Sequence, residues 1–250
     1  VLGMLFFDSS LRTRTSFDVG IYQLGGHATT LNVGEGTWKL EYRDDVIMDT
    51  DRPEHVREAT RVLCEYVDAL AVRSFPKYTE PWDQQRIDPV ITANARECTK
   101  PMINLESGMH HPCQALADAM TLKENIGELR GQPILISWAW HVNPLPMAVT
   151  NSILLEAAKH GMEVRLAHPE GWELDPELMR KSRDVAAAAG GSLNVYNDFE
   201  EALPGARAVY VKSWGAISRY GQPDAERAAA RAHIGKWQFT ANHINRTDKG

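Results

Sequence analysis

The sequence predicts an α/β fold made of two doubly wound parallel-sheet domains. Three observations carry this. Short apolar runs rich in β-branched or aromatic residues alternate with stretches of helical period along most of the chain. Strand and helix in alternation build parallel sheets with helices as crossovers. The stretch 127–133, which holds Gly and Pro, divides the alternation into two similar halves, placing the domains at 1–127 and 128–250. A chain of 250 residues suits one large domain or two modest ones, and can bury a core without staples.

Leu2–Phe7 reads as the first strand, followed by a helix over Leu11–Leu24. Phe17, Ile21 and Leu24 line one stripe of that helix, and Gly25-Gly26 stops it. His27–Val33 reads as a strand. Asp51-Arg52-Pro53-Glu54 reads as a helix start with Pro in the first turn, leading into Val56, Leu63 and Val67. Ala69–Phe75 and Pro101–Leu105 read as strands, with helices over Asp88–Arg96 and Pro112–Glu124, the latter closed by Gly127. The second half repeats the rhythm. Strands are expected at Ile134–Trp140, Met162–Ala167, Leu193–Tyr196 and Ala208–Lys212, and helices at Met147–Lys159, Pro176–Ala189 and Phe199–Leu203. Ala225–Ala232 has a helical pattern, and the residues around it give no clear element.

Composition excludes several classes. Hydrophobic residues make up 43% and charged residues 24%, which rules out a mainly disordered chain. The longest apolar runs, Val1–Phe7 and Ile134–Trp140, fall far short of the ~20 residues needed to cross a membrane. Lys and Arg total 27 against 33 Asp and Glu, a net charge of −6, so no nucleic-acid partner is expected. Cys64, Cys98 and Cys113 show no C-x-x-C spacing, which with the lack of a signal-peptide pattern points to a reduced, cytoplasmic setting. The chain opens in an apolar run without Met and closes in no element, so the reading expects a fragment incomplete at both ends. No G-x-G-x-x-G or Walker sequence and no G-x-S-x-G elbow occurs, so no cofactor is expected. His110, His111 and Cys113 sit too close together on one loop to close a tetrahedral metal site. The acidic run Glu41–Asp51 reads as a solvated loop.

The most informative segment is Asp8-Ser9-Ser10-Leu11-Arg12-Thr13-Arg14-Thr15, which follows a strand and opens a helix. Free N–H groups and the positive end of the dipole invite an anion there. Two arginines in that first turn oppose the dipole at up to ~1 kcal/mol each, and a bound anion would reverse the sign. A solvated basic turn with a Ser cap accounts for the same residues.

Ser10-Leu11-Arg12-Thr13-Arg14 resembles the Ser-x-Arg-Thr-Arg phosphate loop of aspartate and ornithine carbamoyltransferases. Glu106-Ser-Gly-Met-His-His111-Pro112-Cys113-Gln114 resembles that family's His-Pro-x-Gln signature for the carbamoyl group, again between a strand and a helix. In this order the pair is far more specific than either part. Arg73, at the end of Ala-Leu-Ala-Val-Arg-Ser-Phe, matches the family's third anion-binding arginine. The resemblance therefore implies that Ser10, Leu11, Arg12, Thr13 and Trp38 contact carbamoyl phosphate, with Arg73, His111 and Gln114 as catalytic groups holding its carbamoyl part.

Phe-Phe-Asp-Ser-Ser-Leu-Arg-Thr-Arg, Gln-Leu-Gly-Gly-His, Gly-Thr-Trp38-Lys-Leu-Glu, Val-Arg-Ser-Phe and Val-Lys212-Ser-Trp214-Gly-Ala resemble the N-acylornithine branch, from about Leu2 to Gly221. That branch implies a homotrimer in which a Trp at the position of Trp38 enters the neighbouring subunit's site. It also implies transfer of the carbamoyl group of carbamoyl phosphate to the side-chain amine of an N-acylornithine in arginine biosynthesis. Pro53, Glu106, His141 and Lys212 match its acylornithine-side positions. Pro53 and Pro146 stand where the acetyl type carries Glu and Asn, and the spacing from Glu106 to His111 and the stretch His168-Pro-Glu-Gly-Trp-Glu-Leu-Asp-Pro are of the succinyl type. The resemblance thus leans to N-succinylornithine over N-acetylornithine, with plain ornithine carbamoyltransferase and a truncated, non-catalytic homologue as the alternatives. There are two departures. His141-Val-Asn-Pro-Leu lacks a proline and a basic residue of the family loop, and the His-Cys-Leu-Pro segment expected after Ala241-Asn242 is absent, so the 250-residue chain is expected to turn over poorly.

Overall fold

A computed structural model describes residues 1–75 and 78–247. They form two compact units, one of 1–75 with 83–108 and one of 78–82 with 109–247. In chain order the elements up to the end of the first unit are β1 (Leu2–Phe6), α1 (Leu11–Gln23), β2 (Ala28–Asn32), β3 (Leu40–Glu41), β4 (Glu54–His55), α2 (Val56–Tyr66), β5 (Ala69–Arg73), α3 (Trp82–Gln85), α4 (Pro89–Glu97) and β6 (Met102–Glu106). There follow α5 (Pro112–Ile126), β7 (Pro133–Trp138), α6 (Ala148–Lys159), β8 (Glu163–Ala167), α7 (Pro176–Ala188), β9 (Ser192–Tyr196), α8 (Phe199–Ala202), β10 (Ala208–Lys212), a 3-10 turn over Ile217–Arg219, α9 (Pro223–Arg231) and α10 (Ala241–Ile244).

Each unit holds an all-parallel four-stranded sheet, in the orders β2-β1-β5-β6 and β10-β7-β8-β9. This is the doubly wound α/β architecture the sequence predicts. In the first sheet the chain passes from β1 outward to β2 and then returns to the other side of β1. In the second it passes from β7 through β8 and β9 and returns beside β7 as β10. The winding thus reverses between β1 and β5 and between β7 and β10. Crevices at the carboxyl ends of such strand pairs are where open α/β sheets bind ligands.

The central strands β1 and β7 are buried because their runs are almost wholly apolar: every residue of β1 is buried, as are Ile134–Trp138 of β7. A small cluster of Leu5, Leu70 and Val72 centres the first unit. The second has a larger core in which Trp138, Trp172 and Trp214 join Leu154, Met147 and Leu166. Trp138 Nε1 donates to the Trp214 carbonyl and Trp214 Nε1 to the Trp172 carbonyl, each at 2.8 Å, so the large rings are buried without orphaned donors. Among the described residues no helix is long and apolar enough to cross a membrane.

Some local expectations are corrected. The helix expected from Asp51-Arg52-Pro53-Glu54 begins later, at Val56, because Glu54 and His55 pair in parallel with Leu40 and Glu41. His55 is the cap, its Nδ1 accepting from the Arg57 N–H at 3.0 Å. Glu41 is not part of a solvated loop. It is 6% exposed and held by Arg43 and Arg52. On α1, Leu24 is 85% exposed while Phe17 and Ile21 line an apolar cavity of about 510 Å³ with Leu2, Ala69 and Ile103. By its contacts helix α5 groups with the second unit, packing on α6.

Candidate active site

In the first unit the loop after β1 carries the Ser10–Arg14 segment. Asp8 accepts the Phe75 N–H at 3.1 Å, tying this loop to the end of β5. Ser10 is extended and caps α1, its Oγ accepting the Thr13 N–H at 3.2 Å. The first turn of α1 contains no acid, and Arg12 and Arg14 are exposed. Among the described residues neither guanidinium forms an ion pair. Leu11 is 83% exposed. The segment therefore offers a helix N-terminus and two cationic groups with no acid of the helix's own turn set against them.

Arg73 ends β5 at the same edge. Its pairing with β6 shifts between Val72 and Arg73, so that Val72 faces Asn104 but Arg73 faces Glu106. Such an irregularity re-aims side chains at a strand end. Arg73 Nη1 and Glu106 Oε2 form an ion pair, with both residues buried. Arg73 Nε finds no hydrogen-bond acceptor among the described residues, and the guanidinium sits 5.0 Å from the centre of the Phe75 ring. A buried donor without an acceptor is costly, which suits it to an incoming oxygen. Next to Glu106, Ser107 donates to Asp88 Oδ2 at 2.6 Å and accepts from Asn104 Nδ2 at 3.0 Å. Asp88 takes a left-handed φ of 46° and gives α4 no side-chain cap. This support for the 106–107 corner left no signal in the sequence.

Trp38 and Pro53 lie apart from those strand ends in sequence, Trp38 shortly before β3 and Pro53 between β3 and β4. Trp38 is 65% exposed on a turn closed by Thr37 Oγ1 donating to the Asn32 carbonyl at 2.8 Å. Pro53 is exposed immediately before β4.

In the second unit His111 occupies the cap position of α5, with Pro112 at the first helical residue. It is buried, and its N–H donates to Ser152 Oγ on α6 at 2.7 Å. Gln114, in the first turn of the helix, donates from Nε2 to Asp118 Oδ1 at 2.8 Å. Burial raises the Asp118 carboxyl above the usual carboxylate range, against the hydrogen bonds from Gln114 and Tyr210. The Gln114 amide is therefore turned along its own helix. Lys212 ends β10 opposite Trp138, and the Ala139 N–H donates to its carbonyl at 3.1 Å. His141 follows β7 at this same edge, exposed, with Nδ1 accepting the Asn143 N–H at 3.1 Å.

The geometry thus joins Ser10 to Thr13 and Arg73 to Glu106 in one unit, and in the other sets Lys212 and the loop bearing His141 at neighbouring strand ends. Among the described residues no group of three or more His, Cys, Asp or Glu is arranged to hold a metal ion.

Comparison with known proteins gives a concordant picture. Residues 1–124 match the family model for the aspartate/ornithine carbamoyltransferase carbamoyl-P binding domain, and 140–250 that for the Asp/Orn binding domain. An N-acetylornithine carbamoyltransferase of Xanthomonas campestris pv. campestris is 42% identical over 229 residues, covering 90% of this chain and 67% of the relative. An N-succinylornithine carbamoyltransferase of Bacteroides fragilis is 36% identical over 222 residues, covering 88% of this chain and 65% of the relative. The chain spans about two thirds of the length of these relatives. Among solved structures, acetylornithine transcarbamylase complexed with acetylcitrulline superposes with a TM-score of 0.95 at 38% identity, over 100% of this chain and 75% of that one. An N-acetyl-L-ornithine transcarbamylase variant with one glutamate changed to proline, complexed with carbamyl phosphate and N-succinyl-L-norvaline, gives the same TM-score at 39% identity.

Proposed function

The chain belongs to the aspartate/ornithine carbamoyltransferase family, and on that premise we propose that the whole protein moves the carbamoyl group of carbamoyl phosphate to the side-chain amine of an N-acylornithine, giving an N-acylcitrulline and phosphate in arginine biosynthesis. The observation that carries this reading is the buried Arg73–Glu106 pair at the end of β5 and β6, in the same sheet whose β1 leads into the Ser10-capped, acid-free first turn of α1. The N-acylornithine relatives, at 42% and 36% identity, stand nearer than an ornithine carbamoyltransferase of Methanocorpusculum labreanum at 32%.

Phosphate is already a good leaving group, so the chemistry needs positioning and charge stabilisation instead of a covalent nucleophile. In this reading Ser10, Leu11, Arg12 and Thr13 hold the phosphate. Arg73, His111 and Gln114 hold the carbamoyl oxygen and amide, for which Gln114 must turn from Asp118. The substrate amine, with an unperturbed pKa near ~10.4, loses a proton and attacks the carbonyl carbon. The tetrahedral oxyanion collapses, the C–O bond to phosphate breaks, and the departing phosphate takes the amine's proton. Glu106, His141 and Lys212 face the acylornithine, with Lys212 meeting its acyl or α-carboxylate end. Trp38, two thirds exposed, reaches the site of a neighbouring subunit in a homotrimer. Cys64, Cys98 and Cys113 are thiols and not halves of disulfides, which supports a cytoplasmic setting.

For the acyl group we favour succinyl. Pro53 stands where the resemblance gives the acetyl type a glutamate, and variants of an acetyl-type enzyme with one glutamate replaced by alanine, proline, serine or valine are complexed with N-succinyl-L-norvaline. The acetyl reading is favoured by the higher identity of the Xanthomonas relative. Calorimetric titration of carbamoyl phosphate tests the phosphate site itself. Arg12→Ala should lose most of the affinity, and binding as tight as the wild type's would overturn the assignment.

A further inference from the structure

Cys64 and Cys98 lie outside the proposed active site and meet each other. Cys64 lies on the buried face of α2 and is wholly inaccessible, while Cys98 follows the last residue of α4 and is partly exposed. They are far apart in the chain, yet their sulfurs are 3.4 Å apart. Side-chain rotation and a small shift would bring them to the ~2.05 Å of a disulfide. Cys98 Sγ also donates to the Lys100 carbonyl at 3.2 Å, which holds it at the rim of the contact.

We propose that Cys64 and Cys98 form a redox-active dithiol, a modification site that closes to an intramolecular disulfide by exchange with a low-molecular-weight disulfide of the glutathione class.

The environment divides the roles. Burial raises the Cys98 thiol, but Cys98 is the sulfur an external disulfide can reach. Burial also opposes ionisation of Cys64, yet the Thr99 N–H, the Cys98 thiol, the Thr99 hydroxyl and the Lys100 N–H together bring it below the ordinary thiol value. In the first step the Cys98 thiolate attacks one sulfur of the external disulfide. The external S–S bond breaks, one thiolate leaves and takes the proton Cys98 gave up, and Cys98 carries the other half as a mixed disulfide. In the second step the Cys64 thiolate attacks Cys98 Sγ and expels the second external thiolate, which takes the Cys64 proton. Two protein thiols are oxidised to one disulfide, and one external disulfide is reduced to two thiols. Cys113, in the second unit, takes no part. The new bond would join α2 to the segment leading into β6, at the opposite end of that strand from Glu106.

The test uses the folded wild-type chain, reduced and then equilibrated with oxidised glutathione, quenched with acid, unfolded and blocked with N-ethylmaleimide. The chain has three cysteines. The expected result is loss of two of the three blocked thiols, an intact mass lighter by two hydrogens before blocking, and recovery of all three thiols after reduction. Trypsin should yield peptide 62–73 joined to peptide 97–123. The second peptide holds both Cys98 and Cys113, so Cys113→Ser makes the assignment, and the linkage should persist in it. The proposal is overturned if all three thiols remain blockable, if a glutathione adduct stays on Cys98, or if the linkage survives Cys98→Ser. It is also overturned if the bond forms only in protein unfolded beforehand. Because the first measurement is made on the wild type, failure of a variant to fold leaves it decisive.

Discussion

Arg73 and Glu106 form an ion pair across the ends of β5 and β6, with 7% and 8% of their surfaces exposed. The pairing depends on the register shift after Val72, without which a different β6 residue would face Arg73. Taking a guanidinium out of water is expensive, and Glu106 offsets part of that cost while Arg73 Nε stays available for a ligand oxygen. Glu106→Gln leaves the buried cation uncompensated and should destabilise the fold by about 3–5 kcal/mol, read as a lower urea midpoint. The double change Arg73→Met with Glu106→Leu should recover most of that stability while carbamoyl phosphate binding stays lost. A Glu106→Gln protein as stable as the wild type would contradict the account.

Gly215 shows a steric constraint of the second unit. A Cβ there would lie 2.2 Å from the Tyr78 ring, whose hydroxyl donates to the Ala216 carbonyl at 2.6 Å. Gly215→Ala should cost at least ~1–3 kcal/mol and lower Tm by several degrees. Gly20, inside α1 with nothing within 4 Å, is the opposite case. Gly20→Ala should raise stability by up to ~1 kcal/mol. Thermal melts of the two variants should move in opposite directions.

Hydrogen bonding to Arg43 holds the Glu41 carboxyl well below its usual 4.5, at about 2, against the opposing effect of burial. A carboxylate with a depressed folded pKa contributes stability that is complete above its unfolded value and is lost as pH falls through the folded one. Wild-type stability should therefore decline as pH falls from 4.5 towards about 2. Glu41→Gln should be less stable near neutrality and show a shallower decline across that window. Parallel curves for the two proteins would exclude this role for Glu41.

Acyl specificity should follow a charge. A glutamate beside the acyl group repels the terminal carboxylate of a succinyl chain but not an acetyl methyl, and the repulsion grows as water is excluded. Pro53→Glu in the whole protein should depress turnover of N-succinylornithine and spare or raise that of N-acetylornithine. Steady-state rates with both amines check it, and an unchanged ratio would remove Pro53 from the acyl site.

The sheet architecture was legible because the strands are short, continuous apolar runs separated by helical period, as in Leu2–Phe6 and Ile134–Trp138. Pro at a helix start and Gly at its end marked α5 within two residues. Where a tertiary partner decides, the sequence is silent. Nothing local distinguishes Glu41 from the acids after it, because its burial depends on Arg52 returning from the far side of the loop. The start of α2 was misplaced because its cap is the imidazole of His55, outside the usual Ser, Thr, Asp and Asn set. Motif order singled out Arg73 and Glu106 separately, but their pairing rests on a one-residue slip in strand register. The turning of Gln114 towards Asp118, and of Asp88 from its helix towards Ser107, likewise depends on packing that no spacing encodes.

Carbamoyl transfer to an acylated ornithine is decided by turnover of the whole protein with carbamoyl phosphate and each of three amines. With N-succinylornithine, N-acetylornithine and unmodified ornithine supplied in parallel, product identified by mass should be an N-acylcitrulline released with one phosphate per turnover. N-succinylornithine should be the fastest substrate and unmodified ornithine the slowest. Citrulline formed from unmodified ornithine faster than either acylated product, or phosphate release with no ureido product from any amine, would exclude the protein as an N-acylornithine carbamoyltransferase.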